Sequence, residues 1–391
     1  TQMLQMSIIF TGLFIAGFMV VHLLPANIGF NDALQIAGKM GRTNAIDWSF
    51  DWNNQYTVWS GLIGGFFLQL SYFGTDQSQV GRYLTGASIS QSRLGLLMNG
   101  LVKIPMQFLI LMIGVLVFAF YQFNPPPVFF NRYELNKIEK SPYNGELNRI
   151  KGDYADAFRQ KQQQVNQLNT SLESGNEKEI NSSRIILQAA DAKTKAIRQQ
   201  AVDLMLKNDP KADTNDNNYI FLSFVTSYLP RGLIGLLIAI IFLASMGSTA
   251  SALNSLTSTT VIDIYKRLIH KGGTDVRYLA VSRITTVIWG LFCILMALYA
   301  SKLGNLIEAV NILGSLFYGT ILGIFIVAFY FKKIGGSATF KAAIITEIIV
   351  FYFWLSDIMA FLWLNVAGCL ILVIIASIFQ MFSKNSTTLP L

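Results

Sequence analysis

The chain has 391 residues, of which 52% are hydrophobic and 13% charged, and Phe alone contributes 29. Soluble domains carry about 25% charged residues, so this composition, with a mean hydropathy of +0.45, describes a membrane protein. The net charge of +8 is no nucleic-acid footprint, because no basic patch with interleaved aromatics goes with it.

A spanning helix needs roughly 20 apolar residues. On that criterion the sequence offers about eight candidates, near 4–25, 58–77, 95–122, 229–255, 279–300, 306–331, 338–356 and 359–381. Thr1 leads almost directly into the first span without the basic n-region of a signal peptide; the expectation is a sequence truncated at its N-terminus. The connection over 26–57 closes on aromatics, with Trp48, Trp52 and, just beyond, Trp59, as at a membrane–water interface. A cover over an outer vestibule is the other reading.

The second candidate runs GLIGGFFLQLSYFGTDQSQVGRY over 61–83. Gly61, Gly64, Gly65 and Gly74 loosen the helix. Gln69, Ser71, Tyr72, Thr75, Asp76, Gln77 and Gln79 then crowd its second half. A carboxylate inside a span is costly and is read first as functional; pairing with Arg82 or anchoring a helix end are the bland readings of Asp76. Together these residues predict a broken helix, whose freed carbonyls and amides bind ions and solutes.

The third span exits through NPPPVFF at 124–130, a stiff segment. The stretch 145–207 is rich in Gln, Lys, Asp, Glu and Ala, with Leu168, Ile180, Ile185, Ile186, Ile197, Val202 and Leu206 recurring loosely. Two amphipathic helices joined at TSLESGN are expected. They form either a surface for a partner or a solvated decoration. The triplets starting at Asn169 and Asn181 match glycosylation acceptors and matter only in a eukaryotic secretory pathway. The division expected is 1–123 and 221–391 in the membrane, with 124–220 as a polar insert.

The fourth span becomes polar without becoming charged: Ser245, Ser248, Thr249, Ser251, Asn254, Ser255 and Thr257 to Thr260 follow one another. Ala244, Gly247, Ser248 and Ser251 recur at i, i+3, i+4 and i+7 and share one face. Such a face either packs closely on another helix or lends neutral oxygens to a hard cation such as sodium. Glu308 and Asn311 open the sixth span, with Gly314 and Gly319 behind them, as candidate gating positions. Glu347 sits inside the seventh. Cys293 and Cys369 lie in apolar spans and read as small hydrophobes.

Sidedness follows from the basic residues. Residues 131–216 hold 14 Lys/Arg against 13 Asp/Glu, so the excess belongs to the membrane part. Connections after the even spans carry Arg82, Arg93, Lys266, Arg267, Lys271, Arg277, Lys332, Lys333 and Lys384; those after the odd spans carry Arg42, Lys302 and the insert. The even connections are therefore cytoplasmic and the insert extracytoplasmic, since long loops escape the charge rule. No catalytic set is present: His22 and His270 have no metal spacing, and no nucleophile elbow or nucleotide loop occurs.

Three motifs, in order, resemble the sodium:solute symporter family: Tyr72-Phe-Gly-Thr-Asp-Gln77 running on to Val80-Gly-Arg82, Leu229-Pro-x-Gly-Leu-x-Gly235, and Asn254-Ser-x-x-Ser258 leading to Asp263-Ile-Tyr265. The resemblance implies an all-α polytopic membrane protein with a five-plus-five inverted-repeat transporter fold. The first span would end the first repeat, spans two to six would form the second, and two helices would trail, leaving four core helices outside this chain. It implies a sodium site using the Ala244 carbonyl, Gly247 and Ser248. A second sodium is not expected, because Gln2, Gly247 and Ala250 replace its oxygen donors and only Ser251 keeps one. Solute contacts would fall on Gln69, Tyr72, Phe73, Asp76 and Gln77, with Tyr72 as inner gate. Asp76 stands where sugar carriers have Asn, which favours anions or vitamins.

The function expected is thus sodium-coupled symport of a small polar or anionic solute by alternating access, in a bacterial inner membrane. A transporter-like sensor or structural module without net flux is the main rival. A channel is another, although no ring of charged filter residues appears. Neither needs nucleic acid; the insert would meet any extracytoplasmic partner.

Overall fold

The computed structural model describes residues 2–44, 46–300 and 306–382. Lys302 and Lys384, used above for sidedness, lie outside them, as does the side chain of Gln2. Among the described residues seven helices are long and apolar enough to cross a membrane: Leu4–His22, Ile89–Phe123, Arg231–Ile269, Asp275–Leu298, Ile307–Tyr330, Gly336–Leu355 and Phe361–Phe382. The eighth candidate is present as a broken element. The candidate near 58–77 is divided into a π-type turn over Ser60–Gly64 and helices Gly65–Thr75 and Gln77–Leu84, and no piece is long enough. Its glycines and Asp76 are the reason, as described below.

By contacts the chain forms two units, each discontinuous in sequence: residues 1–45 with 100–247, and residues 46–99 with 248–391. The first contains α1 (Gln2–His22), α2 (Phe30–Lys39), the larger part of α5 (Ile89–Phe123), α6 (Arg132–Glu139), α7 (Asn144–Ser174), α8 (Glu177–Asn208), α9 (Asn217–Tyr228) and the first part of α10 (Arg231–Thr259). Pro125, Pro126 and Pro127 end α5, because proline offers no N–H to continue it. Asn131 then caps α6, its Oδ1 accepting from the N–H of Tyr133 at 3.1 Å. Gly175, at φ +69°, closes α7, and Asn176 opens α8 by accepting from the Lys178 N–H at 3.1 Å.

Helices α7 and α8 pack along a heptad-like seam. Leu147, Ile150, Tyr154, Phe158, Val165 and Leu168 on α7 meet Ile180, Leu187, Ala201, Leu204 and Met205 on α8, all buried. Two polar layers interrupt it. Lys161 Nζ lies 2.7 Å from Asp191 Oδ1, and the Ser171 and Ser183 hydroxyls are 2.9 Å apart. Of the recurring apolar residues, Leu168, Ile180, Ile197 and Val202 face the core, while Ile185, Ile186 and Leu206 are exposed. The hairpin is not a solvated decoration. Val165, Leu168, Ile180 and Leu187 share one core with Val20 of α1, Phe120 of α5, Phe224 of α9 and Leu24. Each such fully buried side chain contributes about 1.5–3 kcal/mol.

The second unit holds the Ser60–Gly64 turn, α3 (Gly65–Thr75), α4 (Gln77–Leu84), the start of α5, the end of α10 with a π-type continuation over Thr260–Ile269, then α11 (Asp275–Ala300), α12 (Leu306–Tyr330), α13 (Gly336–Leu355) and α14 (Phe361–Phe382). Helices α12 and α14 approach through glycine. A Cβ on Gly319 would lie 2.6 Å from the Asn365 carbonyl oxygen, and one on Gly368 3.0 Å from the Thr320 nitrogen. Such contact between backbones is how helices associate where no hydrophobic effect drives them. Asn365 Nδ2 donates to Ser315 Oγ at 2.9 Å across the same interface.

Candidate functional site

The break between α3 and α4 falls at Asp76, whose backbone is extended at φ −71°, ψ 116°. Asp76 stays because it caps α4: Oδ1 accepts from the Ser78 N–H at 2.7 Å and from Ser78 Oγ at 2.6 Å. Its other oxygen faces α12, where Tyr318 OH donates to Oδ2 at 3.4 Å. Ser71, fully buried, donates to the Tyr318 carbonyl at 2.8 Å, and Thr75 Oγ1 donates back to the Ser71 carbonyl at 2.9 Å. Among the described ion pairs none joins Asp76 to Arg82, so the bland reading that holds is the helix-end one. That reading still leaves a half-buried carboxylate at a helix break, with a phenol aimed at it.

Gln69, Tyr72 and Phe73 fall on one side of α3 by spacing, with Asp76 at the break and Gln77 opening α4. Gln69 and Gln77 are exposed, while Tyr72, Phe73 and Asp76 are half-buried. The Tyr72 ring lies 5.1 Å from that of Phe73 and 6.4 Å from that of Tyr318. Asp76, Tyr72 and Tyr318 thus form a small polar and aromatic cluster that could hold a solute by hydrogen bonding and ring stacking.

Tyr318 is the member that sequence reasoning missed. Its only signal was Gly314, four residues earlier. A Cβ there would sit 3.0 Å from the Tyr318 ring, so this glycine makes room for the phenol. Gly319 instead admits the backbone of α14. Neither needs to hinge to be explained. Glu308 accepts from Gln55 Nε2 at 3.0 Å, which ties the start of α12 to the loop that precedes the Ser60–Gly64 turn. In that loop Trp59 Nε1 donates to the Trp48 carbonyl at 3.2 Å, and Trp52 packs on Trp363 at 4.7 Å. Asn311 is half-buried. Glu347 is half-buried too, and its Oε1 has no partner among the described residues.

The polar face of α10 looks different. Ala244 and Ser251 are half-buried and Ser248 is exposed. A Cβ built on Gly247 would meet nothing within 4 Å. The Ser251 carbonyl receives the Ser255 hydroxyl at 3.1 Å, and only farther on do the hydroxyls find another helix, Thr257 with Thr286 at 3.0 Å and Thr260 with Trp289 Nε1 at 3.0 Å. Among the described residues, Gly247 is thus not pressed against a neighbouring helix as Gly319 and Gly368 are. The oxygens of Ser248, Ser251 and the helix carbonyls are neutral, the kind of donor a hard cation accepts. Among the described residues no three His, Cys, Asp or Glu side chains converge as metal ligands.

Comparison with known proteins gives this geometry a context. Residues 205–346 match the family model "Sodium:solute symporter family". The sodium/sialic acid symporter NanT of Aliivibrio fischeri is 28% identical over 165 residues, 42% of this chain and 32% of that protein. The sodium/sialic acid symporter SiaT of Proteus mirabilis is 28% identical over 157 residues, 40% of this chain and 32% of that one. The mouse sodium-coupled monocarboxylate transporter 1 is 23% identical over 319 residues, covering 80% and 38%. Among solved structures, a substrate-bound, outward-open sodium-coupled sialic acid symporter superposes with a TM-score of 0.64 at 18% identity, over 99% of this chain and 62% of that one. This last likeness is one of fold. The chain spans about a third of the length of the two symporters named first.

Proposed function

From membership of the sodium:solute symporter superfamily, which these matches support, we propose that the chain supplies the core of a sodium-coupled symporter for a small polar or anionic solute. That family is one of transporters and not of enzymes. In this reading α1 closes the first repeat, the broken helix α3–α4 through α12 forms the second, and α13 and α14 trail. Residues 124–220 form an extracytoplasmic insert.

The single observation that carries the proposal is the break at Asp76. A carboxylate at a helix break, held by the Ser78 N–H and faced by Tyr318 OH, is what a solute with polar groups can engage in exchange for internal partners. Tyr72 and Phe73 offer ring faces beside it. Ala244 through its carbonyl, with Gly247 and Ser248, contributes one wall of the site for the co-transported sodium. Gly247 brings no hydroxyl, which keeps this wall weak, and release of a weakly held ion is easier. Sodium and solute would each stabilise one occluded arrangement, and that shared preference is the coupling.

The experiment is uptake into proteoliposomes under an inward sodium gradient, across sugars, amino acids, carboxylates, sialic acids and vitamins. Sodium-dependent accumulation of one class is expected, with a Hill coefficient for sodium near one. Binding without flux for every class would favour the sensor reading instead.

A further inference from the structure

In the first unit a cavity of about 530 Å³ opens where α7 and α8 meet the C-terminal half of α5. Its wall changes character from one end to the other. At the polar end stand Arg42, Lys161, Lys195 and Arg198, with Asp191 as the one carboxylate among the described lining residues. Asp191 is shared, with Lys161 Nζ and Lys195 Nζ each 2.7 Å from its oxygens. Arg198 pairs with Asp216, which also accepts the Phe130 N–H at 2.6 Å. Arg42 makes no ion pair among the described residues and lies over the Phe118 ring at 4.6 Å. Four cations thus face two carboxylates, both already engaged. Burial pulls the Lys161 ammonium below its ordinary value against the attraction of Asp191, and the positive charges of Lys195 and Arg42 add to that pull.

At the other end the wall is α5 itself. Leu111, Gly114, Val115 and Phe118 line it at i, i+3, i+4 and i+7, one face of a membrane helix. Gly114 leaves open space where a Cβ would be, and Leu111 is 62% exposed. The same stripe continues through the exposed Phe108 and Ile104. A cationic pocket therefore runs without interruption into an apolar track along a membrane span.

We propose that this cavity is a binding site for an anionic phospholipid, its phosphate among Arg42, Lys195 and Arg198 and one acyl chain along Leu111, Val115 and Phe118. A free phosphate or carboxylate would answer the charge and leave the track uncovered. A zwitterionic lipid would cover the track and bring no net charge to the cations. Only an anionic headgroup on a chain answers both, and basic pockets beside membrane helices hold such headgroups on this principle.

The test uses the purified protein in detergent, titrated separately with phosphatidylglycerol, phosphatidylcholine and soluble glycerol 3-phosphate, and read by native mass spectrometry and thermal shift. Phosphatidylglycerol is expected to remain as a discrete adduct and to raise Tm, and the other two are not. R42Q/K195Q should lose affinity for phosphatidylglycerol about 25-fold, two cations at roughly fivefold each, while its lipid-free Tm falls only slightly, because both side chains are exposed and Lys161 keeps its pair with Asp191. Gly114→Leu, which fills the track without touching a charge, should weaken the same adduct. Equal binding of the two lipids, undiminished binding by both variants, or full stabilisation by glycerol 3-phosphate alone would each overturn the proposal.

Discussion

Two stretches of the second unit and its neighbour look alike on paper and behave differently in three dimensions. Helices α12 and α14 carry Gly319, Gly323 and Gly368 beside Ser315 and Asn365, and each glycine is pressed against a neighbouring helix. Around position 247, α10 carries Gly247, Ser248 and Ser251 in a similar pattern, with open space over the glycine. Small and hydroxyl residues on one helix face support close packing or an accessible row of oxygens equally well. What separates the two is whether another backbone lies against the face, and periodicity does not reveal that.

The largest effect should come from forcing this contrast. Gly319→Val places a branched side chain where even a Cβ would lie 2.6 Å from the Asn365 carbonyl oxygen. Overpacking of this kind costs about 1–3 kcal/mol or more, and against backbone that cannot swing aside the upper end is expected, seen as a lowered Tm and aggregation on size-exclusion chromatography. Wild-type behaviour of that variant would mean that α12 and α14 are not in contact as described.

Asp76 comes next. Asp76→Ala removes the cap of α4 and the acceptor for Tyr318, at a cost of about 1 kcal/mol, whereas Asp76→Asn keeps a capping oxygen and removes the charge. If the carboxylate serves solute as well as structure, Asp76→Asn should preserve Tm and still weaken uptake. Equal loss of Tm in the two variants, with uptake following stability, would reduce Asp76 to a cap.

Gly247→Ala should go the other way from Gly319→Val. With nothing within 4 Å of the new methyl group, the helix gains up to about 1 kcal/mol from the better propensity of alanine, so Tm should hold or rise slightly.

The smallest effect concerns the α7–α8 hairpin, where a polar layer is satisfied within the core. Burial pushes the Asp191 carboxyl up, but the charges and hydrogen bonds of Lys161 and Lys195 outweigh it and hold it below its ordinary value of 3.8. Its stabilising contribution is therefore present above that value and lost as the pH falls through the lower folded one. Helicity of the hairpin, followed by circular dichroism from pH 7 downward, should fall in that acid window, and Asp191→Asn should flatten the slope. An identical slope in the variant would place the titrating group elsewhere.

How far the sequence was legible follows from these particulars. The membrane helices were readable because a run of apolar residues in water-free surroundings has one stable solution. The hairpin boundaries were readable too, through the Ser174-Gly175-Asn176 punctuation and strong helix formers. Its inward face was legible only in part: Leu168 and Ile180 face the core, but Ile185 and Ile186 are apolar yet exposed, while Lys161 is buried through its pairing with Asp191. The break at Asp76 could be anticipated from its glycines and carboxylate. Tyr318 could not, since a lone tyrosine in an apolar helix gives no sign of which distant side chain it will meet. For α10 the sequence left packing and ion binding open, because small and hydroxyl residues at helical spacing serve either.

The most direct test of the account is therefore sodium dependence at Ser248. Initial uptake rates measured against sodium at fixed membrane potential should show the half-saturating sodium concentration rising about threefold to tenfold in Ser248→Ala, the loss of one oxygen contact worth roughly 1 kcal/mol. Tm and the maximal rate should change little, because Ser248 is exposed. A sodium dependence identical to wild type in a properly folded Ser248→Ala protein would contradict the assignment of this helix face to the ion.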